Sequence, residues 1–385
     1  MNRVNTLVNK RRIFFIGLGA VAGLATFGVI RILSLPAATH DRVAPRIPQE
    51  EINATISALK PPKREHPLVA MIAINESTET TDYLVPYGIL RRAAVADIVA
   101  LSTGPGPVTL FPALRVEPDA TITDFDAQYP EGADYVIVPA MSRDDDPVAL
   151  EWIRSQANKG ATIIGVCAGA KVVAETGLLD GKRATTHWYY LKRMFDRHPS
   201  IQYVPDRRLV VDQDIVTTTG ISASIPMTLT LIEAIAGREK AEAVARDLGV
   251  KHWDTSHNSA AFKMTRPFAL TVLGNVLAFW NREQLGIELS PGIDEVSLAL
   301  AADAWSRTYR SRALTFSGST EGVTTQNGAR ILPDRVAASW PDERLISVAE
   351  LPPVQVFDHT LQAIAERYGA QTADVVAMQH EYPKE

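Results

Sequence analysis

Thr162-Ile163-Ile164-Gly165-Val166-Cys167-Ala168-Gly169-Ala170-Lys171 decides how the chain reads. A short apolar run enters Gly165-Val166-Cys167-Ala168-Gly169, and a helix is expected from Lys171. Glycines at both ends of this G-x-C-x-G segment let a strand turn abruptly into a helix without a Cβ collision. The pattern is that of a nucleophile elbow with sulfur in place of oxygen. It lifts Cys167 above a sheet edge, where the Ala168 and Gly169 amides and the dipole of the following helix favour a thiolate and hold a developing oxyanion. Cys167 is the single cysteine of the chain. No intrachain disulfide can form, and the thiol is either a small inert core group or a reactive one.

Outward from the elbow, the chain alternates. Leu68-Val69-Ala70-Met71-Ile72-Ala73-Ile74 is a continuous apolar run, as expected of a strand buried on both faces. Asp82 to Ala94 has helical spacing, and Ile98–Leu101 and Tyr135–Val138 are the next strands. Asp144-Asp145-Asp146 precedes Pro147, and an aspartate N-cap followed by a proline explains this triplet better than a metal site. The order predicts a flavodoxin-like three-layer α/β sandwich around a mainly parallel sheet, with ligands at the carboxyl ends of the strands.

At 385 residues and 42.0 kDa, the length suits two or three folded units. With 46% apolar and 22% charged residues, the composition excludes wholesale disorder, a collagen-like repeat and a polytopic membrane protein. A formal net charge of -5 gives no global positive field for nucleic acid.

Lys10-Arg11-Arg12 precedes a charge-free run from Ile13 to Ile30, which as a helix spans about 27 Å. Residues 1–35 are therefore expected to be a twin-arginine-like export signal or an uncleaved single membrane anchor. Ala37-Ala38 supplies small residues near a cleavage point. Either reading puts the chain in the cell envelope, on the periplasmic side, with membrane contact through this segment if it is not cut. Residues 36–67, rich in proline and charge, read as an extended tether, so that the globular part begins at Leu68.

Gly165 to Ala170, followed by Gly177-Leu178-Leu179-Asp180-Gly181-Lys182-Arg183-Ala184-Thr185-Thr186-His187-Trp188, resembles the ThiJ/PfpI family. That family has the class I glutamine-amidotransferase-like fold. Val216-Thr217-Thr218-Thr219-Gly220-Ile221-Ser222-Ala223 looks like its closing strand-to-helix segment, which places such a domain at residues 68–240. The resemblance implies a nucleophilic Cys167, a histidine twenty residues later at His187, and an acid at Asp82, four residues before Pro86. His187 would move protons, and Asp82 would interact with the sulfur or a bound nucleophile. As alternatives, His187 is a satisfied strand-end histidine and Asp82 a helix N-cap. Ala140, Met141 and Trp188 would line the pocket. Where many members carry paired glycines, this chain has Pro139-Ala140-Met141-Ser142, so that Met141 is expected to narrow the pocket or fill a core gap.

Residues 241–283 read as a helical connector. His252 and His257 within it match no common ligand spacing and are taken as loop residues, so no metal is expected. Residues 284–385 look like a partial, degenerate repeat of the first domain. Leu285–Leu289 parallels Leu68–Ile74, Leu345–Val348 parallels Tyr135–Val138, and Asp374–Ala377 parallels the elbow strand, with Gln379 where Cys167 would stand. A copy without its nucleophile is expected to pack on the first domain as an intramolecular pseudo-dimer, the alternative being a homodimer. Arg307-Thr308-Tyr309-Arg310-Ser311-Arg312 reads as a solvated strand entry rather than a nucleic-acid patch. No AraC-like pair of helix-turn-helix units is found, and no nucleic-acid partner is expected.

Two functions stay open. One is a cysteine-dependent hydrolase or hydratase acting on a small polar or electrophilic substrate, without metal or organic cofactor. The other is a non-enzymatic domain that senses a ligand or the redox state of Cys167.

Overall fold

The computed structural model describes residues 28, 30–38, 43–348 and 350–382. Its centre is a seven-stranded sheet of β1 (Leu68–Ala73), β2 (Asp97–Ser102), β3 (Ala120–Thr121), β4 (Tyr135–Val138), β5 (Thr162–Gly165), β6 (Leu209–Asp212) and β7 (Ile215–Thr218). The spatial order is β6-β7-β5-β4-β1-β2-β3. Only the edge pair β6–β7 is antiparallel. Period-two alternation divides the core: Val69, Met71 and Ala73 of β1 join one apolar cluster, while Leu68, Ala70 and Ile72 join the other.

The first face is covered by α1 (Thr80–Ala93), and the second by α2 (Pro147–Asn158) and α3 (Gly169–Glu175). Asp146 caps α2 as expected, accepting from the Val148 and Ala149 amides. On the first face, α4 (Ser224–Ala236) packs on α1, and α5 (Arg238–Leu248) lies beside them. This is the expected three-layer α/β sandwich.

The later chain carries α6 (Arg266–Leu277), β8 (Glu283–Glu288), α7 (Glu295–Ser306), β9 (Ser311–Ser317), β10 (Arg335–Val336), α8 (Pro353–Tyr368) and α9 (Ala370–Gln379). Strands β8, β9 and β10 form a parallel sheet in that order, and Gly286 bridges Leu345 in parallel on the other side of β8. Helix α7 packs along α1. The approach is so close at Gly88 that a Cβ there would lie 2.5 Å from Glu295 Oε1 and 2.6 Å from Val296 Cγ2. The two regions also share a smaller sheet, in which Arg330–Leu332 runs antiparallel to Arg115–Glu117.

Two expectations are corrected. Asp374 to Ala377 are helical within α9, not an elbow-like strand. The helix buries Val375 and Val376 on one side, a spacing that a four-residue apolar window does not distinguish from a strand. The segment 36–67 is not a free tether from end to end. Gln49–Ala58 is a helix, and Leu59 is fully buried with its carbonyl accepting from Tyr135 Oη at 2.6 Å. The buried Asp134 carboxylate collects the Lys63, Arg64 and Leu68 amides. Arg11-Arg12 and most of the apolar run lie outside the described residues, among which no helix is long and apolar enough to cross a membrane.

Candidate active site

The elbow needs its glycines. A Cβ on Gly169 would sit 2.0 Å from Val138 O, and one on Gly165 would come within 3.0 Å of the Ala170 backbone. Between them Cys167 has φ +56°, in the left-handed region that costs a non-glycine residue about 1–2 kcal/mol. Its backbone is held from both sides: the amide donates to Thr218 Oγ1 at 2.9 Å, and the carbonyl accepts from Thr186 Oγ1 at 2.9 Å. A conformation imposed this firmly at a cavity wall is the usual mark of a functional position.

The expected amides divide. The Ala168 amide acts on the Cys167 thiol, favouring the thiolate against the larger effects of burial and charge. The Gly169 amide is committed to Val166 O at 2.7 Å, and the Ala140 amide donates to Asp82 Oδ2 at 3.1 Å. Met141 is buried, joins the core cluster of the second face and also lines the cavity, so it both fills and narrows.

Asp82 stands in the first turn of α1. Its amide donates to Glu79 Oε2 at 2.6 Å, so Glu79, not Asp82, is the N-cap. Asp82 Oδ1 is buried without a hydrogen-bond partner. Burial pushes its carboxyl up to about 7, and burial with the Asp82 charge raises Glu79 well above the usual carboxylate range. The Cys167 thiol is likewise pushed well above its ordinary value, first by burial and then by the charges of Asp82 and Glu79. The resting site therefore favours a protonated thiol and, near neutral pH, a carboxyl poised between its two forms.

His187 is enclosed by backbone. Its Nε2 is 2.9 Å from Gln379 O and its Nδ1 accepts from the Tyr189 amide at 3.2 Å. A carbonyl partner requires the proton on Nε2, and an amide partner requires Nδ1 bare, which describes a neutral ring. Burial, which lowers its pKa, acts in the same direction. Trp188 is fastened beside it, with Nε1 donating to Met378 O at 2.9 Å and its amide to Glu381 Oε1 at 2.6 Å.

Cys167, His187, Ala168, Ala140, Met141 and Trp188 all line one cavity of about 550 Å³, whereas Gly169 and Asp82 do not, Asp82 being joined to it through its bond from the Ala140 amide. The far wall comes from the later region: Met264, Phe268, Val272, Arg307, Tyr309 and Gln379. Arg307 is not a solvated strand entry. It donates to Glu79 Oε1 and Asp303 Oδ1, both at 2.6 Å, and only 14% of its side chain is exposed. Lys171 is also held in the wall, 2.7 Å from Asp144 Oδ2 and 4.4 Å from the Tyr190 ring centre. Glu79 had a local signal, three residues before Asp82 at capping spacing. Arg307, 228 positions from Glu79, had none. His257 stacks on Phe262 at 5.1 Å and lies 3.3 Å from Glu381 Oε2 through its Nε2. Among the described residues no cluster of three or more His, Cys, Asp or Glu is placed to hold a metal ion.

A doubly covered parallel sheet with a cysteine elbow and a buried carboxyl beside it defines a class of cysteine-bearing α/β proteins, and the comparisons agree. The model of the DJ-1/PfpI family matches residues 69–234. Isonitrile hydratase of Pseudomonas putida is 33% identical over 172 residues, 43% of this chain and 72% of that protein. The dj-1beta protein of Drosophila melanogaster is 24% identical over 188 residues, 48% of this chain and 97% of that protein. The HTH-type transcriptional regulator CdhR of Pseudomonas aeruginosa is 34% identical over 99 residues, 26% of this chain and 29% of the regulator. Among solved structures, that of Drosophila DJ-1beta aligns with a TM-score of 0.44 at 22% identity, over 49% of this chain and all of that one. The chain belongs to the DJ-1/PfpI family.

Proposed function

We propose that the protein is a cysteine-dependent enzyme of hydratase or hydrolase type, with Cys167 as nucleophile and Asp82 as its proton partner. The observation that carries this reading is the pairing of a thiol held at φ +56° in a cavity wall with a buried carboxyl whose pKa is pushed up to about 7. At neutral pH a large share of Asp82 holds a proton, which ordinary aspartate does not. The thiol adds to an electrophilic carbon: the S–C bond forms, Asp82 gives its proton to the substrate and takes the thiol proton in return. Water then adds at the same carbon, the S–C bond breaks, and the thiol is regenerated. The Ala168 amide beside the sulfur stabilises charge during both steps. The likeness to an isonitrile hydratase supports an electrophilic, carbon-centred substrate. His187, with both ring nitrogens occupied, serves here to lock the site to α9. Hydration of a panel of isonitriles to formamides, lost in Cys167→Ser and Asp82→Asn, tests the reading; with activated amides the amine leaves, carrying the proton from Asp82, before water attacks the carbon of the S–C bond.

A second reading is a ligand or redox sensor, favoured by the upward shift of the thiol itself, which slows spontaneous attack. Ligand binding that survives Cys167→Ser without any turnover would select it.

The later region completes the cavity from within one chain, and we read residues 284–382 as standing in for a second subunit. Two ion pairs cross the α1–α7 contact in opposite directions, Arg307 to Glu79 and Arg92 to Asp294, and each acid caps the helix of its own region while pairing with an arginine of the other. Each cap accepts from the amide three residues on, Asp82 in one case and Ser297 in the other. A monomer by light scattering supports this; an obligate dimer joined across α1 and α7 contradicts it. The arginine pair and apolar run at Arg11 to Ile30 support a cell-envelope location, which fractionation checks.

A further inference from the structure

From Pro267 to Asn281 the chain carries no charge. Eleven of these residues, with Arg266, form α6, and of the helix only Asn275 is buried. Asn275 pins the inner side, its Nδ2 donating to Thr308 O at 3.0 Å and Thr372 Oγ1 at 3.1 Å. The outer side is apolar and open: Leu270, Leu273 and Leu277 are exposed, followed by Phe279 at 65% and Trp280 at 70% exposure. So large an uncovered apolar patch marks an interaction surface. Lys263 and Arg266 flank it before and Arg282 after.

The chain itself indicates the occupant. Arg266 at the start of α6 donates through Nη2 to Leu33 O at 2.8 Å and Leu35 O at 3.3 Å, and its amide donates to Pro36 O at 2.8 Å. These hydrogen bonds fasten residues 33–36, which continue directly from the charge-free run Ile13–Ile30, to this helix. Ile30 and Leu33 are themselves exposed. We propose that the outer face of α6, with Phe279 and Trp280, lies in the interfacial layer of a lipid bilayer. A helix of twelve residues is about 18 Å long, too short to span a hydrocarbon core of about 30 Å. It lies in the plane of the surface, its leucines in the acyl boundary and Trp280 at headgroup level, while Lys263 and Arg282 meet anionic headgroups. The inner side of the same helix presents Phe268 and Val272 to the cavity of Cys167, so this contact sets the cavity beside the membrane surface.

The test uses the full chain with vesicles of phosphatidylethanolamine and phosphatidylglycerol whose acyl chains are brominated. Tryptophan emission is expected to fall on binding, and Trp280→Phe is expected to remove most of that fall. Leu273→Glu with Leu277→Glu is expected to lower the vesicle-bound fraction several-fold although residues 1–36 are unchanged. Equal quenching in the native chain and in Trp280→Phe overturns the proposal, because contact would then run through the N-terminal residues alone. Absence of quenching, with α6 covered by a second copy or by residues 13–27, overturns it as well.

Discussion

Arg307 lies between two buried carboxylates, 2.6 Å from Glu79 Oε1 and 2.6 Å from Asp303 Oδ1, and so joins the cap of the site's own helix to the helix packed against it. The Glu79–Arg307 pair ties α1 to α7 and bounds the cavity of Cys167 at once. Arg92 makes the corresponding reach to Asp294 from the other side.

Removing one member of such a group strands the others. Arg307→Ala is expected to destabilise the fold by about 3–5 kcal/mol, since two buried carboxylates lose their cation. Arg307→Met combined with Glu79→Gln is expected to recover part of that loss. Urea unfolding of the single and double variants measures both; equal stability of Arg307→Ala and the native chain would contradict the arrangement.

Asp82 makes a pH signature. Its folded pKa, about 7, lies above the ordinary 3.8, so between those values the folded state binds a proton that the unfolded state has released. The contribution of Asp82 to stability is therefore fully present below about pH 4, falls as pH rises through that window, and levels off above about pH 7. Asp82→Asn is expected to flatten this slope and to stabilise the protein at pH 8, by at most about 4 kcal/mol. Turnover, if it uses the protonated carboxyl, declines as pH rises through 7. Thermal melts and kcat/KM profiles from pH 4 to 9 check the two limbs separately.

The lone cysteine makes thiol titration unambiguous. Alkylation of Cys167 in the folded chain is expected to show a midpoint above the ordinary thiol value near 9, and Asp82→Asn is expected to lower it by removing the nearest negative charge. A midpoint unmoved by that substitution would show that the carboxyl does not act on the sulfur.

Two glycines test close approach. Gly169→Ala drives a Cβ into Val138 O, and its neighbours are backbone that cannot swing away. Elbow geometry, and with it thiol reactivity, is expected to be lost. Gly88→Ala collides with Glu295 and Val296 side chains and is expected to cost about 1–3 kcal/mol by parting α1 from α7 while leaving the elbow in place. Circular dichroism melts and alkylation rates separate the two effects.

The amino-acid sequence by itself determined the sandwich and its elbow, because both are written locally. A doubly buried parallel strand must be a continuous apolar run, as at Leu68–Ile74 and Thr162–Ile164, and a strand that turns at once into a helix needs glycine at 165 and 169. The places of Cys167, His187 and Asp82 were read from the family spacing, and the fold brings them together from the elbow, a loop and the first turn of α1. Their states were not. That His187 has both nitrogens occupied, that the Gly169 amide is already used, and that Asp82 titrates near neutrality depend on what surrounds them. Val375 and Val376 sit in a helix for the same reason: four apolar residues fit either period, and packing against the rest of the chain decides. Arg307 was misread because a guanidinium among Arg310 and Arg312 looks solvated until carboxylates from 228 positions away are brought to it. Burial, partner and protonation are long-range properties. They arise when distant segments exclude water together, and only the tertiary structure decides which segments those are.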